Sequence, residues 1–379
     1  MKVGIAGAGF SGAVLARELA DAGHRVVVYD TRDHVAGNCH TERDPETGIM
    51  VHRYGPHIFH TGNERVWAHI NRFGTMQPYN HRVLSTVNDR VYSLPVNLLT
   101  INQLFGTTLD PTGAEAFIRE QSDQTIGEPA NFEEQAMKMM GRRLYEAFFL
   151  GYTRKQWGLE PTEIPASVLR RLPLRFNYEA SYFAHPYQAI PKDGYTAIVE
   201  RILDHPAIEV RLSTPYTKAE HDTFDHCIWT GPLDAWFEHR FGRLGYRTLD
   251  FEEIRGTGDF QGCAVMNYGD VDVPYTRISE HKHFAPWEEH EDTVCFREFS
   301  RLAAEDDIPY YPIRMAKDKV LLQQYLDAAR EEPRVTFAGR LGTYRYLDMD
   351  VTIADALDAA DVMKEAISAG RPIPALFQD

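Results

Sequence analysis

The chain opens with an apolar run, Lys2-Val-Gly-Ile-Ala6, then a glycine-punctuated stretch, Gly7-Ala-Gly9-Phe-Ser-Gly12. An amphipathic segment over residues 13–22 follows, and then a second apolar run, His24-Arg-Val-Val-Val-Tyr29-Asp30. Strand, tight turn, helix and strand in that order, within about 30 residues, predict a complete β-α-β unit. Residues 133–150 hold strong helix formers and few breakers, and amphipathic pieces separated by Gly and Pro precede them over 101–131, so a helical insertion is predicted. Over 159–173, Pro161, Pro165 and Pro173 each remove an N–H and restrict the preceding residue, which predicts loop and a mobile flap. Short β-branched and aromatic runs at 207–212, 226–230, 262–267 and 292–299 predict strands, some of them antiparallel. Residues 334–338 read as a strand, 339–348 as a glycine-containing turn and 352–368 as a helix. The stretch 370–379, with two prolines, reads as a loosely held tail.

Composition narrows the function. The 379 residues are 43% apolar and 25% charged, a globular balance, and the net charge of −15 disfavours a sequence-independent grip on nucleic acid or an anionic membrane. Cys39, Cys227, Cys263 and Cys295 are scattered without a C-x-x-C pair, which fits a reducing compartment. No run reaches the roughly 18 apolar residues of a membrane span, and the early glycines break up any signal-peptide core, so a soluble, cytoplasmic protein is expected.

The glycine fingerprint after a strand places a helix N-terminus, with free N–H groups, against a pyrophosphate. Asp30 ends the second strand eighteen residues after Gly12, where its carboxylate can accept from a ribose 2′-OH. The small-residue turn Gly37-Asn38 and the late Phe337-Ala-Gly-Arg340 favour FAD over NAD. Over 142–175 seven basic residues face three acidic ones, interleaved with Phe148, Phe149, Tyr152 and Trp157. Phe148 and Tyr152, four apart, would share a helical face able to sandwich a planar base, with arginines as forked donors to phosphate; simple core is the other reading of the same spacing. His57 and His60, and His281 and His283, lack an accompanying zinc ligand set, so no metal is expected. There is no G-x-S-x-G elbow or other side-chain nucleophile signature, which leaves the reactive atom to a flavin.

The sequence resembles the bacterial, FAD-dependent UDP-galactopyranose mutase family along nearly its whole length. The resemblance rests on the glycine fingerprint, Gly37-Asn38, Tyr54-Gly-Pro-His-Ile-Phe-His-Thr61, Gly151-Tyr-Thr-Arg-Lys-Gln-Trp-Gly158 and Arg171-Leu-Pro-Leu-Arg175. It continues through Ile190-Pro-Lys-Asp-Gly-Tyr195, Thr230-Gly-Pro232, Val273-Pro-Tyr-Thr-Arg-Ile278, Glu280-His-Lys-His-Phe284, Pro309-Tyr-Tyr-Pro312 and Tyr344-Arg-Tyr-Leu-Asp-Met349. The resemblance implies an α/β fold: a Rossmann-like FAD-binding domain (1–77, 191–240 and 314–379), a helical domain with a mobile loop (96–190) and an antiparallel β-sheet domain (78–95 and 241–313). It implies an isomerase that interconverts UDP-galactopyranose and UDP-galactofuranose, or a closely related nucleotide sugar, for cell wall polysaccharide biosynthesis. FAD is needed in its reduced form, flavin N5 attacking sugar C1 with loss and return of UDP.

Carried over by motif, Arg171 and Arg277 clamp the diphosphate, and His60 lies beside the isoalloxazine. Phe148, Phe149, Tyr152, Thr153 and Trp157 form the uridine face, with Tyr182, Tyr311 and Tyr346 on phosphate and Asn267 and Asp348 near the sugar or the arginines. Gly7, Gly9, Phe10, Ser11, Gly12, Asp30, Gly37, Asn38, His57, Ile58, Gly339, Arg340, Asp348 and Met349 hold the cofactor. The stretch Tyr79-Asn-His-Arg82 departs from a short Asn-Ser-Pro segment of some members. A UDP-linked sugar is the expected partner, with neither nucleic acid nor membrane, and a homodimer is one option on which the sequence is silent. The rivals are a flavin oxidoreductase of the amine-oxidase type, which needs an apolar tunnel to the flavin, and a non-catalytic nucleotide-sugar binder, which the full set of matching arginines disfavours.

Overall fold

The computed structural model describes residues 1–171, 174–313 and 318–377. The opening β-α-β unit lies at the centre of a five-stranded parallel sheet in the order Ile208–Arg211, Arg25–Tyr29, Lys2–Ala6, His226–Trp229, Val335–Phe337. Val26 and Val28 enter one apolar cluster with Leu15, Leu19, Ile353 and Leu357, whereas Val27 and Tyr29 enter another with Trp236, Tyr325 and Phe337. Apolar residues at consecutive positions are what a strand covered on both faces requires. The helices Phe10–Asp21, Gly194–Leu203 and Met349–Ser368 pack together on the first face.

The tail differs from expectation. Phe337 N donates to Ala375 O (2.8 Å) and Thr336 Oγ1 to Pro374 O (2.8 Å), while Ile373 and Phe377 pack on the first cluster. Residues 372–377 are therefore held against the sheet: their apolar side chains find core, and their prolines leave carbonyls free to accept.

A second sheet has seven strands in the order Tyr311–Pro312, Tyr246–Thr257, Asp292–Leu302, Arg277–Glu280, Val265–Tyr268, Val83–Val87, Arg90–Leu94. All neighbours are antiparallel except Val265–Tyr268 with Val83–Val87, where a distant stretch of chain returns to the sheet. A third, small sheet sets Tyr187–Pro191 between Phe59–Thr61 and Met76–Pro78.

Between the strands of the second sheet lie Leu98–Phe105, Pro111–Gln121 and Phe132–Tyr145, each started by a side chain that accepts a first-turn amide: Asn97, Asp110 and Asn131. The long helix predicted over 133–150 is interrupted. Gly141 sits at φ +77°, where a Cβ would stand 2.3 Å from Gln121 O, and Glu146–Leu150 form one π-turn before Gly151–Trp157 resumes. The proline-rich stretch holds two short 3-10 turns, Pro161–Glu163 and Ala166–Arg171. Among the described residues no helix is long and apolar enough to cross a membrane.

Candidate functional site

The glycine turn is fixed by its neighbours. Gly7 has φ +108°, and a Cβ there would come 2.0 Å from Thr230 Oγ1; a Cβ on Gly12 would come 1.9 Å from Gly7 O. Only glycine therefore lets the first strand, the turn and the helix Phe10–Asp21 meet. Gly9, at the N-cap, has no side chain to cap that helix, so its first amides remain available to an anion. Asp30 braces the turn: Oδ2 accepts from Ala8 N (2.8 Å) and Oδ1 from Arg32 N (3.0 Å). Arg32 lies 4.4 Å from the Tyr54 ring centroid and donates to Asn38 Oδ1 (2.7 Å), which fixes the turn at Gly37 and Asn38. A cavity of about 570 Å³ runs from here past Phe10, Ser11 and His57 to Trp229, Gly339, Arg340 and Met349. Gly339 is at φ +76°, its absent Cβ making room for Ser11 Oγ at 2.6 Å. Backbone amides at a helix start, close-approach glycines and an elongated cavity fit a dinucleotide.

Arg340 lines this cavity and borders a second cluster. Its Nη1 donates to Tyr310 O (3.2 Å) and Nη2 to Leu347 O (2.7 Å), and its guanidinium lies 5.7 Å from the rings of both Tyr311 and Tyr346. Those two rings stack at 5.6 Å. Arg277 occupies the centre: Nη2 donates to Tyr152 OH (2.8 Å), and Nε lies 3.2 Å from Glu298 Oε1 across the strand pair. The Arg277–Glu298 contact is an ion pair by distance without a well-directed hydrogen bond, since Nε has no partner by geometry. Burial is the largest single influence and opposes the Arg277 charge, but Glu298, 2% exposed, together with the surrounding hydroxyls of Tyr152, Tyr311 and Tyr182 outweighs it and holds the guanidinium pKa above its usual value. Burial also raises the phenols of Tyr152, Tyr182 and Tyr311, so all three keep their protons as donors. Asn267 faces Arg277 across the sheet, and its Oδ1 is shielded from solvent without a partner.

His60, on the short strand Phe59–Thr61, stacks on Phe183 at 3.7 Å; burial lowers its pKa while Asp348 and Asp350 oppose that. His57 is lowered to about 4, by burial first and Arg340 second, and its Nδ1 bonds Gly55 O (2.9 Å). Ile58 is buried between them, in the cluster around Tyr79 and Phe284. Asp348 starts the last helix without making a side-chain capping bond.

The described residues of the aromatic and basic stretch are drawn into the helical core and into local pairs. Phe148 is 5% exposed and meets Tyr92 edge-on at 5.3 Å within the helical core, in keeping with the core reading of its spacing. The π-turn over Glu146–Leu150 lies between this core and the helix Gly151–Trp157 that carries Tyr152. Phe149 and Trp157 also pack against this core, half-buried, and Thr153 is buried. The basic residues of the stretch whose side chains are described are each engaged by a protein partner. Arg142 pairs with Glu146, Arg143 with Leu104 O, Arg154 with Glu160, Arg175 with Ser181 O, and Lys155 with Tyr268 O and Asp270 O. Burial brings Lys155 down to about 8. The side chains of Arg170 and Arg171 lie outside the described residues.

Glu298 was not singled out from sequence; the alternation of the run 292–299 and its pairing to Arg277 was the available signal. Arg247 had no motif either. Buried at 4% exposure, it donates to Ser300 Oγ and Lys155 O, and burial lowers it to about 10. Asp259, Glu280 and His283 offer ligand atoms within 4.8 Å of one another. Glu280 is occupied by three backbone amides (Phe260, Gln261 and Gly262) and Thr293 Oγ1, and Lys282 pairs with Asp259 at 2.7 Å, so the group braces a loop.

Residues 147–346 match the family model described as UDP-galactopyranose mutase, and residues 5–73 match that of an NAD(P)-binding Rossmann-like domain. The chain is 55% identical over 370 residues to a probable UDP-galactopyranose mutase of Klebsiella pneumoniae, covering 98% of this chain and 96% of that one. It is 51% identical over 368 residues to a dTDP-fucopyranose mutase of Escherichia coli, covering 95% and 98%. A crystal structure of a reduced UDP-galactopyranose mutase shares the fold at a TM-score of 0.74 and 14% identity, over 99% of this chain and 98% of that one.

Proposed function

The chain belongs to the UDP-galactopyranose mutase family, and on that premise we propose that it interconverts UDP-galactopyranose and UDP-galactofuranose with FAD held in the glycine cradle. The observation that carries this reading is Arg277, a charged guanidinium fixed between Glu298 and Tyr152, with Tyr182 and Tyr311 in its field, Tyr346 stacked on Tyr311, and Arg340 leading from those rings to the cofactor cavity. Bound and reduced, FAD supplies a nucleophilic nitrogen, which matches a chain without a side-chain nucleophile signature.

The protein's own residues orient and stabilise. Leaving of UDP from the anomeric carbon puts charge on the β-phosphate, and Arg277, already desolvated and held in place, gains strength as that charge grows. Its forked donors suit a phosphate better than a point charge does. The protonated phenols around it add donors that need no reorganisation, and Arg171 is assigned to the same diphosphate on motif position. His60, Asn267 and Asp348 are assigned to the sugar on motif position, and Asp30, Gly37, Asn38 and the first-turn amides of Phe10 and Ser11 to the cofactor.

The curated relatives at 55% and 51% identity are named for different nucleotide sugars, so overall likeness does not select the substrate. The test is incubation of dithionite-reduced protein with UDP-galactofuranose, and in parallel with dTDP-fucopyranose, followed by chromatography. Conversion of the first pair at the higher kcat/KM is expected. Conversion of neither, or of the fucose pair alone, overturns the assignment, and equal rates with oxidised protein would remove the flavin from the chemistry.

A further inference from the structure

His185 belongs to no motif, yet it meets His60. The strand Phe59–Thr61 pairs antiparallel with Tyr187–Pro191, Thr61 opposite Tyr187, so the residues leading into the second strand fold back over His60. The two imidazoles lie within 20° of parallel and their Nδ1 atoms are 2.8 Å apart. His60 is half-buried on Phe183 and His185 is exposed. Asp348 and Asp350, at the start of the last helix, are the acids facing His60, and His81 is the further imidazole within its field.

Two neutral imidazoles joined through their Nδ1 atoms share one proton. When His60 carries it, His60 Nε2 is a bare acceptor and His185 has its proton on Nε2. When His185 carries it, His60 is protonated on Nε2 and His185 Nε2 is bare. We propose that His185 is a positioning residue that sets the tautomer of His60 and completes a proton relay from the reaction site to water. A proton taken up at His60 Nε2 moves the shared proton to His185 Nδ1, and His185 Nε2–H is released to solvent; the reverse returns it. No bond to carbon changes and no co-reactant is needed. The inference rests on the reading above, which places His60 beside cofactor and sugar.

The experiment uses the full-length protein with 15N-labelled histidine, comparing wild type, His185→Phe and His185→Asn. Nitrogen chemical shifts of the His60 ring report its tautomer without turnover. The expected result is a changed tautomer in His185→Phe and a restored one in His185→Asn, whose amide can meet His60 Nδ1. Neither variant can pass a proton on, so both should lose about 10-fold in kcat and shift the solvent isotope effect, with UDP affinity within about 2-fold of wild type. Unchanged His60 shifts in His185→Phe, or unchanged kcat and isotope effect in both variants, overturn the relay. If the wild type fails to turn over nucleotide sugar, the proposed function falls, while the nitrogen shifts still decide the pairing.

Discussion

A guanidinium packed against one carboxylate and one phenol has its charge and orientation set before any ligand arrives, and Arg277 is in that position. Arg277→Lys keeps the charge opposite Glu298 but gives up the planar fork, so kcat should fall on the order of 10²-fold while the melting temperature moves little. Arg277→Ala also strands Glu298 without its cation. Because Arg277 keeps 24% of its side-chain surface exposed, the lower end of the range for a broken buried pair applies, about 3 kcal/mol. Steady-state kinetics and urea unfolding of the two variants separate these effects. A lysine variant with near-normal kcat would show that the charge alone suffices.

At the scale of elements, Gly141 is required by a close approach of two chain segments. Gly141→Ala should cost about 1 to 3 kcal/mol through a left-handed backbone and a clash with Gln121 O, measured by thermal unfolding. An unchanged melting temperature would mean that the helix absorbs the kink elsewhere. This glycine marks where the sequence was opaque. The run 133–150 reads as one helix because its residues are helix formers, and nothing local reveals that Gln121 O comes to 2.3 Å. The π-turn after it was hidden for the same reason. The opening β-α-β unit was legible because glycine turn, apolar strands and helix are adjacent in sequence. Glu298, Arg247 and His185 were not, because each acts through a partner on a distant strand or helix, a relation set by register.

For the whole molecule, burial of imidazoles predicts acid sensitivity. Burial lowers His57, His69 and His226 to about 4, and His81 and His281 to about 3. Unfolded, these rings take up protons near pH 6.5, so below that value the unfolded state binds more protons than the native one and stability falls with pH. Stability should be retained above about pH 6.5 and decline toward pH 4, a slope that urea unfolding at stepped pH would measure. A flat profile would mean that these rings open to water without unfolding.

The segment 372–377 lies along Val335–Phe337, the border strand of the parallel sheet. A border strand offers unpaired amides and carbonyls to any other extended chain. Here Ala375 O takes the Phe337 amide of that edge and Pro374 O the Thr336 hydroxyl, and Pro372 and Pro374 have no N–H with which to recruit a further strand. The segment 372–377 therefore shields part of that edge. Protein ending at Arg371 should keep its parallel sheet but scatter light increasingly with concentration, as copies pair through the strand the tail now shields.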